Sequence, residues 1–322
     1  MEKIDIVYTW VDGSEPEWIS KRDFWAKKEG FEINSANGRY MNNDELKYSL
    51  RSIDQYAPWI NNVYIITDNQ LPNWLNTNND KIKIVKHEDI IPSKYLPTFN
   101  SYVIEFCICN IPDLAEKFLY ANDDMFMLKR LKPDFFFSSN GKPIFRFFDK
   151  YELCDDYEKQ LFNADTLVLQ KYGKSIGLYP HHNIDAYIKS DISNCCKEFS
   201  DSIEKTLNSR FRTSENISRA LYAYYAILIN HGVQKKLINP IKIHSYNKYI
   251  PFSSKIIRYI NSRIAEESVY IGADKDNYSS FLKNKTTKLF CLNDNELTSD
   301  VNRVLIKDFL EQMFPAKSSF EK

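Results

Sequence analysis

Four short runs in the first 130 residues share one pattern: β-branched and aromatic residues that end in acids or asparagine. They are IDIVYTWV (4–11) closed by Asp12-Gly13, NNVYIITD (61–68), KIKIVKHED (81–89) and KFLYANDDMF (117–126). Each is short and apolar and bounded by turn residues, which predicts buried strands. Helical patterns stand between them. DELKYSLRSIDQYAP puts Leu46, Leu50, Ile53 and Ala57 on one face, with Asn43 or Asp44 as N-cap and Pro58 as stop. SYVIEFCICNIP reads as a second helix ended near Pro112. This alternation predicts an open, mostly parallel α/β sheet.

Beyond residue 130 the pattern weakens. PDFFF and PIFRFF read as short strands or edge segments in the aromatic stretch 131–180. Residues 214–232 predict a helix with Ile217, Ala220, Leu221, Tyr224 and Leu228 on one face and Gly232 as stop. A final helix carries Val301, Val304, Leu305, Phe309 and Met313 as its stripe, with Pro315 after it. Residues 233–288 are rich in Lys, Asn and Ser. There is no internal repeat and no low-complexity linker, so the chain reads as one α/β core with an inserted or appended helical part.

Composition removes several functions. Lys and Arg number 43 and Asp and Glu 43, so no broad cationic face for nucleic acid is expected. With 8 glycines and neither GxxxxGK[ST] nor GxGxxG, any phosphate must be held by side chains, a metal or a helix N-terminus. The six cysteines form no CxxC and are too sparse for a disulfide scaffold, which predicts reduced, mostly buried thiols. MEKIDIVYTWVDGSEP lacks the features of a signal peptide, and no apolar run approaches bilayer length. These observations predict a cytoplasmic protein.

Ligands of open α/β sheets sit at the carboxyl ends of the strands. Here those ends carry Asp12, Asp123-Asp124 and, after a later apolar segment, Asn293-Asp294. Carboxylates so placed suit a hard divalent cation that completes its shell with phosphate oxygens, although an isolated NDD is more often a polar turn. Arg39, Arg51, Arg210 and Arg212 are the candidate phosphate grips, since guanidinium binds phosphate bidentately. For any one of them a solvated cap is the commoner role. His181-His182 offers an imidazole as general base or, protonated, as a phosphate partner. Trp10 and Tyr8 suit stacking on a base, with core packing as the default. Neither GxSxG nor a Cys-His arrangement supports a nucleophilic hydrolase.

The motifs resemble one family. IDIVYTWVDGSEPEW, RYMNNDELKYSLRSIDQYAPWINNVYIITDNQLPNWL, and LPTFNSYVIE with KFLYANDDMF resemble the first two conserved blocks of the Stealth family. HHNIDAY with SRFRTSENISRALYAYY resembles the third, and LFCLNDNELTSDVNRVLIKDFLEQMFPAKSSFEK the fourth. The blocks, 4–18, 38–130, 178–230 and 288–321, cover more than half the chain. The resemblance implies one catalytic domain over 1–322, with variable or helical insertions at about 131–177 and 233–287. Tyr102 departs from the histidine that many bacterial members carry.

The resemblance further implies a Rossmann-like fold and a sugar-1-phosphate transferase. The donor is a nucleotide sugar, usually UDP-linked, and the acceptor a sugar hydroxyl of a growing glycan. The products are a phosphodiester and UMP, as in bacterial capsule synthesis. Carried over, Asp124 and Asp294 hold Mg²⁺ or Mn²⁺ with Asn293 beside them, and Asp123 or His182 takes the acceptor proton. Arg212, with Arg210 and Arg51, balances the phosphoryl charge. Trp10, Asp12 and Gly13 line the nucleotide pocket, and Arg39, Asn43 and Glu45 the sugar end. The implied setting is cytoplasmic or peripheral at the inner face of the membrane, beside capsule assembly machinery and with free or lipid-linked acceptors. Two rivals stand: a metal-dependent glycosyltransferase that releases UDP, and a non-catalytic nucleotide-sugar binding module.

Overall fold

Parallel pairing of the apolar runs builds the central sheet. The computed structural model describes residues 2–33, 37–237, 267–274, 278–282, 287–295 and 297–322. Strands β1 (Ile4–Thr9), β2 (Val63–Thr67), β3 (Ile82–Lys86) and β4 (Lys117–Asn122) run parallel in the order β3-β2-β1-β4. An antiparallel edge strand, β8 (Asp185–Ile188), follows β4. The register sets Thr9 against Asn122, so the acids after β1 and β4 leave the same edge of the sheet.

Both faces are covered, as a parallel sheet requires. Ile6, Tyr8, Leu119 and Ala121 point to one layer, where, after α1 (Pro16–Glu29), α2 (Glu45–Tyr56) contributes Leu46, Leu50 and Ile53. Val7, Phe118 and Tyr120 point to the other, against Val103 from the helix Ser101–Phe106, Leu161 from Asp156–Tyr172 and Leu221 from Ala220–Leu228. This alternating placement is the period-2 pattern of a strand. The fold is the open, mostly parallel α/β arrangement expected.

Two smaller sheets complete it. β5 (Met125–Met127) pairs antiparallel with β11 (Leu289–Asn293), which pairs in parallel with β10 (Ser268–Gly272). β6 (Ile144–Lys150) lies between β7 (Leu178–Pro180) and β9 (Val233–Lys236).

Several boundaries differ from the sequence reading. KFLYANDDMF is two strands in two sheets, with Asp123-Asp124 as the turn between them. The 81–89 run is a strand to Lys86 and then a helical turn, His87–Ile90. The helix expected over 214–232 covers only Ala220–Leu228. Asn216 Oδ1 accepts from Thr213 N and from Asn100 Nδ2, which holds the preceding segment in a turn. The stretch 131–177 supplies β6 as well as the helix Asp156–Tyr172, and both enter the main core. Residues 238–266 of the second insertion lie outside the described residues. The last helix, Asp300–Met313, buries Ile306, Phe309 and Leu310 against Phe290 and Phe314, and leaves Val301 and Val304 exposed.

Candidate active site

The turn after β4 brings its acids against the end of β11. The backbone N–H of Leu292 donates to Asp124 O at 3.0 Å, fixing the two segments in register. Asp124 is buried, and its Oδ2 accepts from Asn293 Nδ2 at 3.0 Å and from Cys291 Sγ at 3.3 Å. Its Oδ1 is buried without a hydrogen-bond partner. From the start of α2, Asn43 Nδ2 donates to Glu45 Oε1 at 2.7 Å and to Asp294 Oδ2 at 3.2 Å. Three elements distant in sequence therefore meet at one acidic point.

Electrostatics there is strained by design of the packing. Burial, followed by the charge of Asp124 among smaller effects, raises Glu45 to about 7. Burial also lifts Asp123, with Glu45 and Asp124 adding repulsion, and it lifts Asp124 against the bonds from Asn293 and Cys291. Carboxylates crowded this way hold protons or seek a cation. Asp294 is relieved differently. Arg303 of the last helix donates from Nε to Oδ2 at 3.1 Å and from Nη2 to Oδ1 at 3.3 Å.

An imidazole and guanidiniums close the other side. A donor atom of His182, in the loop before β8, lies with Asp124 and Cys291 donors inside 4.8 Å of one another. Its ring meets the edges of Tyr157 and Tyr270. Burial, then the positive charges of Arg219 and Arg212, push it down to about 3, so the imidazole is neutral at physiological pH. Arg212 lies over the Tyr102 ring at 4.3 Å and donates to Ser101 Oγ. Arg219 donates to Asp185 Oδ2 at 2.7 Å and to Tyr187 OH at 2.9 Å, and faces Glu105 at 3.7 Å. The Tyr120 hydroxyl lies 3.0 Å from Glu105 Oε1 and 3.0 Å from Asn122 Oδ1, linking this buried cluster to the NDD tip.

The loop after β1 is packed by close backbone contact. Gly13 N donates to Tyr40 O at 2.9 Å, and a Cβ at Gly13 would lie 2.1 Å from that oxygen, so only glycine fits. A Cβ at Gly38 would lie 2.7 Å from the backbone of Asn295, so this close approach carries the 37–40 turn to the end of β11. Asp12 Oδ1 accepts from Ser14, and its peptide groups are held by the Gln70 amide. Trp10 is in the core beside Leu46 and Met125. Arg39 is in the 37–40 turn, and its side chain lies outside the described residues.

The structure thus brings Asp123, Asp124, His182, Asn293, Asp294, Asn43 and Glu45 together, with the charge of Arg212 reaching His182. It places two of the four arginines elsewhere. Arg51 is buried and pairs with Glu321 (2.8 and 2.9 Å), Glu311 (3.0 Å) and Phe314 O (2.7 Å), clasping the C-terminal tail. Arg210 pairs with Glu29 at 2.8 Å, donates to Pro97 O at 2.7 Å and stacks on Trp25 at 3.9 Å. His181 is a scaffold histidine, bonded to Ser268 Oγ and Asp185 Oδ1.

Sequence reasoning passed over Cys291, Tyr270, Arg219 and Arg303. Cys291 is two residues from Asn293 on β11 and so shares its face, a period-2 signal present in the string CLND. Arg219 carried no such mark. The site suits a divalent cation: Asp124 Oδ1 is buried without a partner, and donor atoms of Asp124, His182 and Cys291, one from each, lie within 4.8 Å of one another.

A parallel α/β sheet that gathers acids, a neutral imidazole and guanidiniums at its strand ends has the composition of an enzyme active site for an anionic substrate. The chain matches the conserved regions of Stealth proteins: region 1 over residues 2–30, region 2 over 39–145 and region 4 over 280–322. It is 32% identical over 322 residues to the capsular polysaccharide phosphotransferase fcs1 of Haemophilus influenzae, covering 95% of this chain and 81% of that one. It is 28% identical to the capsular polysaccharide phosphotransferase WcwK of Streptococcus pneumoniae over the full length of both. An exopolysaccharide phosphotransferase of Streptomyces coelicolor is 30% identical over 99% of this chain, which spans about half, 51%, of that relative. The chain belongs to the Stealth family. Among solved structures, the galactosyltransferase LgtC with donor and acceptor sugar analogues aligns over 98% of this chain and 96% of its own, at 9% identity and a TM-score of 0.45. Among the described residues no helix is long and apolar enough to cross a membrane.

Proposed function

We propose that this chain, acting as one catalytic unit, transfers a sugar-1-phosphate from a nucleotide-activated sugar to a sugar hydroxyl of a growing glycan. The donor is a UDP-linked hexose or N-acetylhexosamine, the new bond is a phosphodiester, and UMP leaves. The setting is capsule or surface polysaccharide synthesis at the inner face of the membrane, on free or lipid-linked acceptors. The observation that carries this reading is the convergence of the 122–124 and 293–294 tips with His182 and Arg212. A cluster of that charge pattern suits a diphosphate, and the family relatives bear phosphotransferase names.

Phosphoryl transfer needs alignment and charge balance more than covalent help. Arg212, steadied by the Tyr102 face and Ser101, meets the charge of the transferred phosphoryl. Asn43 forms the sugar end with Glu45 and Arg39, its two amide hydrogens taken by Glu45 and Asp294. Asp294, whose charge Arg303 balances, holds Asn43 in place. The acceptor proton goes to Asp123 or to His182, and the ring nitrogens of His182 make no hydrogen bond among the described residues. Asp124 and Asp294, with Asn293 beside them, would hold Mg²⁺ or Mn²⁺, which when bound offsets the diphosphate charge. Trp10, buried in the core, shapes the floor under the Asp12-Gly13 loop.

The test is substitution at the tip. Asp123→Asn and Asp124→Asn each abolish turnover while circular dichroism and the unfolding midpoint stay near the parent. Full activity in both variants overturns the assignment.

A further inference from the structure

Two of the six free cysteines stand apart. Cys107, Cys195 and Cys291 are buried and Cys154 is exposed, whereas Cys109 and Cys196 are both half-buried. Cys109 lies in the helical turn Ile108–Asn110, and Cys196 near the end of the helix Lys189–Glu198 that follows β8. The two elements pack on each other and are bonded on both sides of Cys109. Lys189 Nζ donates to Ile111 O at 2.9 Å, and Cys196 Sγ lies 3.7 Å from Phe106 O. The Cys196 sulfur is also 3.4 Å from the Tyr222 hydroxyl, which fixes it against the main core. Between these anchors the two thiols face each other and share a hydrogen bond, with Cys196 as donor and Cys109 as acceptor.

The pairing makes the two sulfurs unequal. The bond from Cys196 is the largest effect on Cys109. Burial opposes it, and the charges of Lys189 and Lys197 add to it, so the Cys109 thiol is brought down to about 7. Cys196 is raised by the same bond and by burial. Burial pushes Cys107 up to about 12 and lifts Cys195 as well, so the thiols next to the pair are poor nucleophiles. One accessible thiolate with a second thiol in contact is the arrangement of a peroxide-reactive pair.

We propose that Cys109 and Cys196 form a modification site at which hydrogen peroxide produces an intramolecular disulfide, tying the Ile108–Asn110 turn to the helix Lys189–Glu198. The Cys109 thiolate attacks one peroxide oxygen. The O–O bond breaks, a sulfur–oxygen bond forms, the sulfur gives up two electrons, and hydroxide leaves to take up the proton that Cys109 had released. The Cys196 sulfur then attacks Cys109. The sulfur–sulfur bond forms, the sulfur–oxygen bond breaks, and water departs with the Cys196 proton. The loop that this bond closes contains Asp123, Asp124 and His182, so the tie constrains the segment that carries half of the candidate site. The chemistry belongs to the two thiols and holds whichever nucleotide the enzyme releases.

The test is equimolar hydrogen peroxide added to the reduced full chain, followed by denaturation, alkylation and peptide mapping by mass spectrometry. The expected product joins the peptide of Cys109 to that of Cys196 within one chain, and dithiothreitol reverses it. Cys109→Ser and Cys196→Ser each abolish the joined peptide, whereas Cys107→Ala and Cys195→Ala keep it. The melting temperature of the parent rises by roughly 4–8 °C on oxidation, as expected for a cross-link that closes a loop of about 90 residues. Cys196→Ser shows no such rise, and its Cys109 proceeds to the sulfinic acid. A joined peptide that survives in either serine variant overturns the proposal. So does peroxide that leaves Cys109 and Cys196 unjoined in the parent, a bond formed only between chains, or an equal rise in melting temperature in Cys196→Ser.

Discussion

Replacing Arg51 by methionine separates scaffold from site. In sequence Arg51 is a candidate grip for the transferred phosphoryl. In the fold its guanidinium makes a bidentate pair with Glu321, a bond to Glu311 and one to the Phe314 carbonyl. Both partners of the main pair have 5% side-chain exposure, so solvent does not compensate. Burial would raise the Glu321 carboxyl, but Arg51 and Ser318 hold it below its usual value. Removing one member of such a buried pair costs about 3–5 kcal/mol. The stranded carboxylate can escape by protonation, which at pH 7 costs about 3.7 kcal/mol from a reference pKa near 4.3. The expected loss is therefore about 3–4 kcal/mol, or about 6–8 °C in melting temperature at roughly 2 °C per kcal/mol for a chain this long. Calorimetry measures it, and the donor KM below the melting range stays at the parent value. Arg51→Met with Glu321→Gln recovers part of the loss, because no charge is stranded. An unchanged melting temperature with a raised donor KM would refute the clasp and restore Arg51 to the site.

Tyr102→Leu removes the ring beneath Arg212 and the 2.6 Å bond to Gln160; a cation–π contact worth about 1–2 kcal/mol predicts a fall in kcat of roughly five- to thirty-fold. Tyr102→Phe keeps the face and stays near the parent in the same assay. Gly13→Ala drives a methyl to 2.1 Å from Tyr40 O and forces the β1 loop and the 37–40 turn apart. Donor affinity, read by calorimetric titration, falls by up to roughly a hundredfold. His87 is buried, and burial, the largest effect, lowers it to about 4 even though Asp68 pulls the other way. The unfolded chain takes up that proton near pH 6.5 and the folded chain only near 4, so stability is lost as pH falls through this window. Urea midpoints across pH 7 to 4 measure the slope, and His87→Phe flattens it.

Short-range signals carried much of this architecture. The parallel sheet was legible because each strand is a compact apolar run with its acid at the end, and α2 because its stripe is regular and Pro58 stops the pattern. The break at Asp123-Asp124 was not, since apolar residues continue through Met125–Met127 and the change of sheet is imposed by β11, far along the chain. The last helix was legible as a helix but not in its facing. Its buried side follows Phe290 and Phe314 rather than its most apolar stripe. The arginines mark the limit most clearly. Nothing near Arg51 announces a carboxylate 270 residues later, whereas Arg212, among the described residues, donates to a hydroxyl, lies over a ring face and makes no ion-pair contact, although the charge of Glu105 reaches it. Cys291 read as an inert thiol because its neighbour Asp124 is 167 positions away.

That acids, imidazole and guanidinium gather so that phosphorus, not the anomeric carbon, is attacked is tested by the nucleotide left behind. The purified chain is supplied with a UDP-sugar panel, oligosaccharide acceptors and Mg²⁺, and the spent nucleotide is separated while the glycan is examined by phosphorus NMR. UMP in equal amount to a phosphodiester resonance in the glycan is the predicted result. UDP with a glycan free of phosphorus would contradict the account.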